Sequence, residues 1–224
     1  MYHRQFNGSR LHKTALWFYH ESGVRSVYIT GRDAWFIILA RTCRMFAFGG
    51  TSLIMALFFT TLGYSDTQIG LFMTMTLAGD AVLSVGLTLV ADSLGRRRVF
   101  FGGGLLMAVS GLVFVYFEKF WILLLAAVVG VISAGGGDFG PFRAIEESVL
   151  SHLTNQETRS DVLSWYVVTS NLGSAVGTEV VGRVVETLKS RDGWSERHIY
   201  HAIFAAYVIM GIASMGLSVL MTDN

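Results

Sequence analysis

Cysteine, charge and a leader segment are all scarce in this 224-residue chain, and each scarcity removes a class of protein. Cys43 is the only cysteine, so no internal disulfide and no cysteine-rich metal site can be built. Charged residues make up 15% of the chain, against about a quarter in soluble globular proteins. What charge there is stands in clusters and is not spread over solvated helix faces. Residues 1–33 are polar and basic, with no compact apolar region before a small-residue site, so no cleavable signal is read there. The first membrane helix is expected to serve as the insertion signal. A net charge of +1 makes no case for nucleic acid, and no nucleic-acid partner is expected.

What is present is apolar and long. Residues 68–91 carry one charge, Asp80, and residues 99–117 carry none. Each run is about long enough to cross a bilayer as a helix. The short turn between them forces the two helices to be antiparallel neighbours, and Arg96, Arg97 and Arg98 place that turn on the cytosolic side. Counting outward predicts an all-α polytopic membrane protein with six transmembrane helices, near 35–61, 68–91, 97–117, 120–140, 162–183 and 199–221. Residues 1–33 read as a partly disordered cytosolic tail with a short amphipathic piece around Leu16–Tyr19, residues 34–221 as the helical bundle, and residues 222–224 as a truncated end. Gly135, Gly136, Gly137 and Pro141 are expected to bend the fourth helix, with residues 142–153 continuing it into the cytosol. Both termini are then inside. Twelve of the seventeen Lys and Arg fall on inner segments and five on outer ones, as the positive-inside bias requires. The lipid bilayer is the first partner implied, and which membrane is left open.

Several stretches resemble the major facilitator superfamily. Asp92-Ser93-Leu94-Gly95-Arg96-Arg97-Arg98 is similar to its signature loop between crossings 2 and 3, with Thr88 where the family usually has a glycine. Leu62–Gly70 is similar to its outer loop entering helix 2. Thr154–Ser160 resembles its inner loop between helices 4 and 5, and Gly173-Ser174-Ala175-Val176-Gly177 its glycine-rich helix 5. Leu123–Ala127 stands where many members carry an arginine. Ile132–Leu150 is reminiscent of a poorly characterised fungal and bacterial subgroup. The resemblance implies a secondary transporter of a small solute, with no cofactor, no metal site and no catalytic residues. It covers the N-terminal six-helix half of a twelve-helix architecture with substrate between the halves. The expected partner is a C-terminal half or a full-length relative. A non-transporting fragment that binds such a relative is the alternative. An intramembrane serine protease is a weaker one, because Ala108 stands where its Gly-x-Ser-Gly motif before Ser110-Gly111 needs glycine.

Candidate site residues follow. Asp80 falls at the middle of its crossing, where a charge costs about 2.5–3.5 kcal/mol to insert. Thr76, Asp80, Ser84 and Thr88 recur every four residues as one polar stripe. Asp80 is either a proton-coupling or cavity carboxylate or a hydrogen-bonded packing residue. The resemblance gives Asp92, Gly95 and Arg96–Arg98 a gating role, beyond the topology setting the arginines perform anyway. Arg143, Glu146 and Glu147 either join that charge network or form a solvated helix face. Asn171 and Asp138 are candidate cavity residues, with interhelical hydrogen bonding the commoner use of the first and capping of the bend the other reading of the second. Gly173 and Gly177 are read as helix-packing sites, and Glu179 with Arg183 as a favourable pair one turn apart. Arg41 and Arg44 either face solute from the first helix or, the preferred reading, sit at the interface with their long side chains snorkelling to headgroups. His198 and His201 are read as interfacial, not as metal ligands.

Overall fold

The computed structural model describes residues 23–130, 132, 141–191 and 193–222. Among these residues it is a helical bundle: α1 (Val24–Thr30), α2 (Arg32–Thr61), α3 (Asp66–Leu94), α4 (Arg96–Tyr116), α5 (Phe120–Val129), α6 (Pro141–Leu153), α7 (Arg159–Lys189) and α8 (Glu196–Val219). Among the described residues four stretches are long and apolar enough to cross a membrane, Arg32–Thr61, Asp66–Leu87, Arg97–Tyr116 and Glu196–Val219, where the sequence predicts six. Large apolar side chains such as Leu53, Leu57, Val82, Leu105, Leu125 and Ile212 face outward. That much exposed apolar surface is untenable in water and natural in lipid.

Local chemistry sets the helix ends. Ser65 caps α3 in a reciprocal capping box with Gln68. Ser195 caps α8 through the His198 amide. The turn between α3 and α4 is a single residue, Gly95 at φ 85°, a conformation that side-chain-bearing residues rarely adopt. Tyr64 ties two turns at one end of the bundle. Its hydroxyl donates to the Glu118 carbonyl and accepts from the Phe120 amide, both at 2.8 Å. Tyr64→Phe removes both bonds, and is expected to lower stability by about 1–3 kcal/mol, read as a drop in melting midpoint in lipid nanodiscs. Arg197 joins the same end through Glu118 at 3.2 Å.

At the opposite end, Arg97 donates to the Val219 carbonyl at 2.7 Å, and Asp33 accepts from both the amide and the hydroxyl of Thr222. Ser26 donates to Asp161 at 2.5 Å, and Val27 beside it is buried. Residues 24–30, read from the sequence as tail, are therefore helical and packed against the start of α7, and Arg32 and Asp33 already belong to α2. The Leu16–Tyr19 piece lies outside the described residues.

The fourth predicted helix differs most. α5 stops at Val129, with Gly130 as its C-cap, so it measures about 15 Å at the usual rise, short of the hydrocarbon core. Ser110 of α4 packs against this end. Its hydroxyl donates to the Ala126 carbonyl at 2.7 Å, and its Cβ lies 2.1 Å from where a Cβ on Gly130 would sit. Beyond that contact the Ile132 amide reaches back to Ala127, five residues away, and the α-helical register is lost. Gly135–Gly137 lie outside the described residues, and α6 is described from Pro141 onward.

Two apolar clusters fill the interior. One joins Phe58, Phe59, Phe72, Phe114 and Phe204 toward the Tyr64 end, and the other joins Ile37, Phe100, Phe142, Val149 and Tyr166 toward the Gly95 end. The intimate helix pairs are α2 with α7 and α4 with α8. A Cβ at Gly177 would lie 2.0 Å from the Phe46 carbonyl oxygen, and one at Gly49 would lie 2.1 Å from that of Ser174. One at Gly173 would meet the Thr42 carbonyl oxygen at 2.8 Å. These glycines let the two backbones touch.

Candidate functional site: a buried charge layer between the two apolar clusters

On α2, residues Ala34, Ile37 and Ile38 belong to one apolar cluster, and Met45, Phe48 and Ile54 to the other. Arg41 and Arg44 stand between them, and the level they mark is polar on the neighbouring helices too. Arg41 and Glu146 are each 1% exposed. Arg41 Nη1 donates to Glu146 Oε2 at 2.9 Å, and the Tyr166 hydroxyl donates to the same oxygen at 2.8 Å. Arg44 Nη2 donates to Glu146 Oε1. Arg41 Nε donates to Ser170 at 2.9 Å, whose hydroxyl in turn donates to the Tyr166 carbonyl. The Arg41 guanidinium lies 4.1 Å over the Tyr166 ring, and that of Arg44 lies 5.6 Å from the Phe142 ring. Both oxygens of Glu146 are thus engaged by charged or hydroxyl donors, which is what a buried carboxylate requires.

Arg41 and Arg44 are therefore not interfacial residues snorkelling to headgroups. They face inward because α2 continues to Arg32, about two and a half turns before Arg41, and because α7 and α6 cover that face. Glu146 and Glu147, adjacent in sequence, have separate fates. Glu147 pairs with Arg143 at 2.7 Å on the outer side of α6, where hydrogen bonding holds the guanidinium pKa above its ordinary value. Glu146 lies in the buried stripe Phe142, Ile145, Glu146, Val149, Leu150. A carboxylate inside an apolar stripe of helical period was the signal available for it in the sequence.

Asp80 and Thr76 turn inward from α3. Thr76 is fully buried and donates to the Phe72 carbonyl. Asp80 is 4% exposed, and its Oδ1 has no hydrogen-bond partner among the described residues. Ser84, half-buried, donates to the backbone carbonyl of Asp80 at 2.6 Å. The Tyr207 hydroxyl of α8 is likewise buried without a partner there, and its ring stacks on Phe48, one turn beyond Arg44. Tyr166, Ser170 and Tyr207 went unnoticed in the sequence, where isolated tyrosines and serines in apolar helices carry no distinguishing pattern.

Other predicted residues fall elsewhere. Asn171 is exposed on α7. Glu179 and Arg183 pair at 2.6 Å on the surface. Arg98 is exposed, and Arg97 serves the end of α8. The side chains of Thr88, Asp92 and Arg96 are outside those described, and so is residue Asp138.

Apolar outward faces around a buried ionic layer define a multi-pass integral membrane protein. The sequence profile of the Major Facilitator Superfamily matches residues 37–223, and the chain belongs to that family of membrane transporters. An uncharacterized membrane protein of Saccharomyces cerevisiae is 37% identical over 182 residues, which are 80% of this chain and 40% of that protein. The chain thus spans about two-fifths of the length of the relative it matches.

Proposed function

We propose that this chain is one bundle of a secondary transporter that moves a small solute across a membrane by rocking against a second bundle. The two termini lie on the cytosolic side, where the arginine turn after α3 and Asp92 form half of a gate. The observation that carries the reading is the polar layer of Arg41, Arg44, Glu146 and Tyr166 held between two apolar clusters, together with the buried Asp80 carboxylate on α3. Buried ionisable groups inside a bundle of membrane helices are expensive and mark solute or proton pathways. Family membership supports the same class.

The transport is proton-coupled, and Asp80 is the coupling carboxylate. Its buried oxygen has no donor among the described residues, and protonation or a solute contact would satisfy it. Asp80→Asn, tested with the chain co-expressed beside a matching C-terminal bundle, is expected to lower pH-gradient-driven accumulation at least about tenfold, the weight of roughly 1.4 kcal/mol. Unchanged accumulation and unchanged pH dependence would remove Asp80 from the coupling step. Failure of any such bundle to associate would favour the fragment reading.

A further inference from the structure

We propose that Arg41, Arg44 and Tyr166 form the binding site for the carboxylate of a small organic anion, and that Glu146 holds the site in the solute's absence. This rests on the transporter reading and names its solute class. Two guanidinium groups meeting the two oxygens of one carboxylate, with a tyrosine hydroxyl on the second oxygen, is the geometry that selects a carboxylate over a neutral or cationic group. The chain's own carboxylate fills it here. Beyond Cα, the Glu146 side chain is chemically a propionate unit, so the cradle has the size and charge of a small monocarboxylate.

The carboxylate sits on an element of its own. α6, described from Pro141 to Leu153, meets the bundle through Phe142, Ile145, Val149 and Leu150. Arg41, Arg44, Tyr166 and Ser170 stand instead on the long helices α2 and α7, which are locked together at Gly49, Gly173 and Gly177. The donors are fixed and the acceptor is carried by a shorter helix. An incoming anion replaces Glu146 on the arginines, and the displaced carboxylate takes a proton from the aqueous side. One negative charge leaves the layer as one enters, so its total charge is unchanged. That balance matters because an added uncompensated charge there costs several kcal/mol. The groups facing Glu146 are Arg41 and Arg44 from α2 and Tyr166 from α7, with Arg143 and Glu147 beside it on α6.

The test uses the 224-residue chain in lipid nanodiscs, with melting midpoint titrated in sodium acetate, sodium chloride and methylammonium chloride. Glu146→Ala opens an acetate-sized space, and is expected to bind acetate at least about tenfold more tightly than the wild-type chain, because the internal competitor is gone. Arg41→Gln in that background is expected to abolish the gain. Folding of Glu146→Ala in acetate but not in chloride counts as the same rescue. Equal responses to acetate and chloride, or an equal response to methylammonium, would overturn the assignment. If Glu146→Ala folds in no salt, Glu146→Gln decides: raised acetate affinity supports the site and unchanged affinity overturns it. With a C-terminal bundle present, uptake of glycerol or methylammonium without propionate would remove the anion assignment and leave the transporter. Absence of uptake for every solute would remove the transporter reading itself.

Discussion

Glu146→Ala is expected to destabilise the bundle by about 3–5 kcal/mol, because it leaves two buried guanidinium groups facing each other without their counter-ion. Arg41 and Arg44 reach the same carboxylate from one face of α2, so removing it both unpairs them and sets like charges side by side. The Tyr166 hydroxyl loses its acceptor at the same time. The measurement is unfolding of the chain in nanodiscs at equal pH and salt. The physical claim is sharpened by a compensated variant. Replacing Arg41 by Met, Arg44 by Leu and Glu146 by Leu together removes the charges and their desolvation cost. It is expected to recover most of the stability while transport stays lost. Such recovery means the ionic layer serves function at no net gain in stability. If the triple variant is as unstable as Glu146→Ala, the layer is a structural element and the solute pathway lies elsewhere.

The second large effect is expected at the seam between α2 and α7. Gly177→Val places a branched side chain where a Cβ would already lie 2.0 Å from the Phe46 carbonyl oxygen. The obstructing atoms are backbone, which cannot rotate aside as a side-chain tip can. The cost is expected at or above the upper end for overpacked cores, about 3 kcal/mol, seen as loss of the folded fraction in mild detergent. Gly70→Ala on α3 is the control. Nothing lies within 4 Å of its added carbon, and the gain in helix propensity is expected to raise stability by up to about 1 kcal/mol. A neutral Gly177→Val would mean the two helices do not pack as closely as the structure shows.

Lys189 gives a smaller reference point outside the spans. Its ammonium lies 2.8 Å from Glu196 across the turn between α7 and α8, and hydrogen bonding to that carboxylate holds its pKa above the ordinary lysine value. The pair is exposed and is expected to matter little to stability. It is unlike the Arg41–Glu146 contact, which has the same chemistry at a depth where water cannot screen it.

Much of the bundle was legible in the chain because the forces that make it are local. An apolar run of about twenty residues becomes a membrane helix whatever it packs against. Ser65 with Gln68 marks the start of α3, and Gly95 with the arginines marks the turn before α4, from chemistry within a few residues. Family membership was equally legible, through short loops at fixed spacing. The charged layer was not, because its partners are set by how three helices are rotated about their axes. Arg41 and Glu146 lie 105 positions apart, and no local pattern says which arginine faces which carboxylate. By charge and depth alone, Arg41 and Arg44 belonged at the headgroups. Only the covering faces of α6 and α7 bring them a counter-ion and turn them inward. The close approach of Ser110 to Gly130 is likewise a contact between helices that no local pattern announces. Hydropathy and capping thus determined from sequence alone that this chain is a bundle of membrane helices. The tertiary packing decided which of its few charges are drawn into the interior, because an ion is tolerated there only where another helix supplies its partner.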